Sequence, residues 1–178
     1  MAKVTSMNEQ QIEAVEARNS HILVSAPAGS GKTKILVTRI LSILKENSRS
    51  SASDIAKQVS LSVPAVTERI KKLEQNGTIE KYTVRINPAE LGFNLLVFVL
   101  VRIDSSRSLE AFQEEITALP NVLECHHIAG PADYLLKVLV QDMADMEDFL
   151  SYKLKDMTGV ATAETMFALS TLKEEYTV

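Results

Sequence analysis

The 178-residue sequence predicts an α+β protein. A trio of short helices is followed by a β-α-β-β-α-β unit, and a short glycine-rich extension stands in front. Three observations carry this. Apolar residues recur at helical spacing in three short runs between residues 33 and 76. From residue 95 onward, apolar runs alternate with helical patterns in the split order just given. The stretch Ser25 to Thr33, SAPAGSGKT, ends in the Gly-Lys-Thr of a phosphate-binding loop.

The elements follow in order. NEQQIEAVEA (8–17) reads as a short helix and HILVS (21–25) as a strand that leads into the glycine loop. Leu36, Ile40, Ile43 and Leu44 share one face of a helix over 33–46. Ser51, with Asp54 three residues on, gives a capping-box-like start to a second helix over 52–59. Ser62 caps a third helix, with Pro64 tolerated in its first turn and Val66, Ile70 and Leu73 as its buried stripe. Asn76-Gly77 ends it with a left-handed cap. Residues 78–86 read as extended, and Asn87-Pro88 closes them.

Strands are predicted over 95–103, 122–128 and 134–140, and over most of 160–172. Helices are predicted over 109–119, with Leu109, Phe112, Ile116 and Leu119 inward, and over 143–157, with Met146, Phe149, Leu150 and Leu154 inward. The run LLVFVLV is apolar at both alternating sets of positions, as in a strand covered on both faces. The order is that of a ferredoxin-like unit. The expected division is an extension (1–32), a winged helix-turn-helix (33–88) and the ferredoxin-like domain (92–173).

Composition narrows the function classes. Hydrophobic residues make up 46%, enough for packed cores. A single cysteine, Cys125, excludes an internal disulfide framework. The first residues are polar, and the longest apolar run, 95–101, is too short to span a bilayer, so a cytoplasmic protein without membrane contact is expected. Net charge is −4, but it is unevenly spread: residues 45–90 carry 8 basic and 6 acidic side chains, and 91–178 carry 6 basic and 14 acidic. A mildly basic front half suits phosphates, and an acidic back half suits assembly or sensing.

A three-residue turn before the third helix matches a helix-turn-helix, with 78–86 as wing and linker. Its third helix would enter a major groove of double-stranded DNA. Ser62, Ala65, Thr67 and Glu68 then lie near base edges, Arg69 pairs with guanine or phosphate, and Lys71, Lys72 and Lys57 meet phosphates. Such units act in pairs, which implies a homodimer. The alternative from the same residues is a three-helix bundle with a solvated charged face. Cys125, His126 and His127 invite a metal site, but neighbours in a strand point to opposite faces, so none is expected.

The stretches ILSILKENSRSSASDIAKQVSLSVPAVTERIKKLEQNGTIEKYTVRINPAELG and LPNVLECHHIAGPADYLLKVLV resemble the leucine-responsive and asparagine-responsive (Lrp/AsnC) regulators of bacteria and archaea. The resemblance covers about four-fifths of the chain, from Arg39 onward. It implies dimers that associate into octamers, control of transcription, and a small effector, often an amino acid, bound at the turn between the second and third strands. Here that turn is Gly130 to Tyr134. Gly130 would permit the turn, and Asp133 would accept from an ammonium group or merely cap the hairpin. Many members carry an acidic residue after the glycine, where this chain has Pro131.

MNEQQIEAVEARNSHILVSAPAGSGKTKILVTRI resembles the opening segment of UvrD- and AddA-type superfamily 1 helicases. That resemblance implies adenine contact by Gln11. Gly29 and Gly31 would free backbone N–H groups for phosphates, Lys32 would reach them, and Thr33 would ligate Mg²⁺. Hydrolysis also needs an acidic residue ending a second buried strand, which is missing, so no catalytic residue, cofactor or enzymatic activity is expected. Two further readings stay open from sequence: an ATP-responsive regulator using the loop, and an effector-binding assembly protein with impaired DNA binding.

Overall fold

A computed structural model describes residues 32–104 and 108–175. The chain forms two compact units that divide between Val84 and Arg85. In the first, α1 (Lys32–Glu46), α2 (Ala52–Val59) and α3 (Val63–Gln75) bury Ile40, Ile43, Leu44, Ile55, Ala56, Val59 and Val66. These residues recur at helical spacing, so each helix turns one apolar stripe inward. The helix expected over 33–46 is continuous from Lys32 to Glu46. Ser51 caps α2: its hydroxyl accepts from the Asp54 N–H at 3.1 Å and donates to the Asp54 carboxylate at 2.6 Å. Ser62 caps α3, accepting from the Ala65 N–H at 3.4 Å. The turn between them uses Ser60 in the left-handed region (φ 53°), which no sequence signal marked. Gly77 (φ +74°) ends α3 as expected.

Residues 78–86, expected to be extended, join neither helix nor ladder among the described residues. The segment is held to α3: the Tyr82 hydroxyl donates to the Glu74 carboxylate at 3.0 Å, and the Ile79 N–H donates to the Leu73 carbonyl at 3.0 Å.

The second unit is one four-stranded antiparallel sheet in the order β2-β3-β1-β4, from β1 (Leu95–Ile103), β2 (Val122–His127), β3 (Tyr134–Val140) and β4 (Val160–Phe167). This is the split arrangement predicted. Helices α4 (Leu109–Thr117) and α5 (Met143–Asp148) pack with Val97, Val99, Val101, Leu136, Val138 and Val140 around Phe112, Ile116, Met146 and Phe149. On the other face of the sheet, Leu96, Phe98, Leu100, Leu135 and Leu139 are only half-buried. The helix expected over 143–157 also changes winding. Residues Phe149–Leu154 form a π-turn, with the Lys155 N–H bonded five residues back to Leu150 at 3.1 Å. Five residues span about 140° on an α-helix, so the wider turn brings Phe149 and Leu154 onto the same buried side.

Candidate nucleic-acid interface and effector turn

The buried edge of α3, Val66 and Leu73 with half-buried Ile70, fixes which residues face out. Ser62, Thr67, Glu68, Lys71 and Lys72 are exposed, and Ala65 is half-buried beside them. The Thr67 hydroxyl donates back to the Val63 carbonyl at 3.0 Å. Glu68 and Lys72 pair at 2.7 Å one turn apart, and the hydrogen bond from Lys72 holds the Glu68 carboxyl below its ordinary value. Lys57 on α2 pairs with Asp54 at 3.7 Å. The Asp54 carboxyl is lowered first by the Ser51 hydroxyl and also by Lys57. The helix edge thus offers hydroxyl, carboxylate and ammonium groups together, the donors and acceptors that base edges and phosphates require.

Arg69 departs from its expected outward position. It is half-buried, its guanidinium donates to the Ala65 carbonyl at 3.0 Å, and its Nε is buried without a partner. A long side chain can fold back along its own helix, and sequence spacing does not reveal that choice.

The expected effector turn joins β2 to β3. Asp133 is half-buried and accepts from the Ile103 N–H at 2.7 Å, while its own N–H donates to the Val101 carbonyl at 3.0 Å. Its carboxylate therefore ties the turn to the end of β1. Gly130 is exposed and has no left-handed φ, so the turn does not draw on glycine's conformational freedom. Tyr134 is a core residue rather than an open contact. Its ring lies 4.9 Å from Phe112 and 5.0 Å from His127 between centroids, and Gln113 donates to its hydroxyl at 2.8 Å. Gln113 had no sequence signal, since its partner lies 21 residues away.

Among the described residues no three His, Cys, Asp or Glu side chains form a group able to hold a metal. His126 donates to the Glu124 carboxylate at 3.0 Å, His127 stacks on Tyr134, and burial pushes the Cys125 thiol up, away from the thiolate that metals bind. Gln11, Gly29 and Gly31 lie outside the described residues. Lys32 and Thr33 open α1, with Thr33 exposed. No helix among the described residues is long and apolar enough to cross a membrane.

Residues 36–80 match the winged helix-turn-helix DNA-binding family, and residues 96–178 match the Lrp/AsnC ligand binding domain. The chain is 34% identical over 139 residues to an HTH-type transcriptional regulator of Pyrococcus horikoshii, covering 77% of this chain and 93% of that protein. It is 36% identical over 138 residues to the leucine-responsive regulatory protein of Haemophilus influenzae, covering 76% and 83%. Among solved structures, a transcriptional regulator of Neisseria meningitidis in complex with L-Met is similar with a TM-score of 0.77 and 28% identity, over 80% of this chain and 94% of that one. These matches are to DNA-binding transcriptional regulators with an effector-binding domain. The chain belongs to the Lrp/AsnC family.

Proposed function

We propose that α3 enters the major groove N-terminal end first and that the protein controls transcription from a specific operator. Residues 33–88 act as the reader and 92–173 as the sensing and assembly domain, in the cytoplasm. The observation that carries this is the fixed rotation of α3: its buried stripe leaves Thr67, Glu68, Lys71 and Lys72 outward behind the Ser62 cap. Ser62, Ala65, Thr67 and Glu68 read bases; Lys57, Lys71 and Lys72 hold phosphates; Arg69 braces the helix and turns outward on contact. Selection from a randomised duplex pool tests it. Thr67→Ala and Glu68→Gln should change the selected sequence while leaving the fold intact; the same sequence from all three proteins contradicts base reading.

The half-buried sheet face argues for a homodimer, four of which associate into an octamer. The effector is a small molecule such as an amino acid at the Gly130–Tyr134 turn, where the Ile103 N–H orients the Asp133 carboxylate. Calorimetry with a panel of amino acids tests this, since binding should be lost in Asp133→Asn. The first 32 residues we take as a helicase-like extension without catalysis. Labelled ATP should titrate identically against wild type and Lys32→Ala, and a difference between them would reinstate a nucleotide-gated regulator.

A further inference from the structure

Beyond β4, residues 170–174 run back across the face of the sheet opposite α4 and α5. They flank Leu96 and Phe98 loosely, with an open groove of about 310 Å³ between. Apolar burial contributes little to this strap, because its own Leu172 and the preceding Leu169 are 96% and 99% exposed. The strap is fastened by charge. One carboxylate oxygen of Glu174 accepts from Arg85 Nη2 at 3.0 Å, the other accepts from the Lys137 ammonium, and the Glu174 carbonyl accepts from Arg85 Nη1 at 3.0 Å. Lys137 sits on the middle of β3 with its side chain only 10% exposed and also donates to Glu124 at 3.1 Å. A register shift in β2 between Val122 and Glu124 sets that glutamate opposite Lys137. Arg85 is the first residue of the second unit, directly after Val84 closes the first.

We propose that Glu174 is a positioning residue that pins Arg85 to the sheet through Lys137, so that the chain arriving from the DNA-binding unit enters the ligand-binding unit at a fixed point. The strap and the linker are then one device: whatever lifts the strap from the sheet face also frees Arg85. Forked contact to both a carboxylate and a carbonyl suits arginine, whose planar donors match two acceptors at once. Held partly by exposed ions, the clasp loosens as salt rises.

Limited trypsin digestion of the full chain reads this directly, because trypsin must take the Arg85 side chain that Glu174 holds. Lys81, in the same exposed segment, is the internal reference. Glu174→Gln should raise cutting after Arg85 relative to Lys81 about three- to fivefold, the scale of one exposed charge-assisted pair. Glu174→Asp should recover part of the protection, and wild type at about 0.5 M salt should approach the Gln variant. If Glu174→Gln melts at a lower temperature, Arg85→Lys, which keeps a trypsin site but loses the fork, should show the same rise. An unchanged ratio, or equal acceleration at Lys81 and Arg85, overturns the proposal. No DNA enters the test, so its failure leaves the groove-reading proposal standing.

Discussion

Ser62 and Lys71 make separable contributions to the same helix. The Ser62 hydroxyl satisfies an otherwise unpaired N–H at the start of α3, so Ser62→Ala should lower stability by about 1 kcal/mol in urea titrations. Glu124 sets an acid dependence. The hydrogen bond from His126 first, and Lys137 next, hold its carboxyl below the ordinary 4.5. A carboxyl lowered on folding contributes stability that is full above the unfolded value and is lost as pH falls through the native one. Urea midpoints should therefore fall on acidification below about pH 4.5, and Glu124→Gln should flatten that fall. Alternation could have found Tyr134 in the core from the sequence. It shares its parity on β3 with Leu136, Val138 and Val140, all buried. The buried Nε of Arg69 could not be found that way, because the fold-back of a long side chain follows from local packing rather than period.

Among the elements, the trio and the strands were legible because each pairs a strong period with punctuation. Ser51 and Ser62 mark helix starts, and the bounds of α2, β1 and β3 agree with the reading. The π-turn was not legible, since an apolar pattern five residues apart becomes intelligible only against the core it meets. Gly159 separates that segment from β4 at φ +83°, and a Cβ there would collide with the Ser108 side chain. Gly159→Ala should cost at least about 2 kcal/mol, against about 1 kcal/mol for Gly77→Ala, where nothing lies within 4 Å. Denaturant midpoints of the two variants give the comparison.

For the whole molecule, the sequence separated a basic-leaning reader from an acidic sensing domain. It also anticipated that LLVFVLV needs cover on both faces. The single chain covers only the Val97, Val99 and Val101 side fully. Leu100→Glu, placed on the other side opposite Leu135, should reduce the mass seen by light scattering toward one chain while leaving the helix-packed core folded. The strap was beyond sequence reading, because Glu174 and Arg85 are 89 residues apart and meet only once the sheet exists. The central claim is that α3 lies along duplex DNA with Lys71 on a phosphate. Its most direct test is the salt dependence of affinity for the chain's own upstream region, wild type against Lys71→Ala. The account predicts weaker binding and a slope of log affinity on log salt shallower by about 1. Identical affinities and slopes would contradict it.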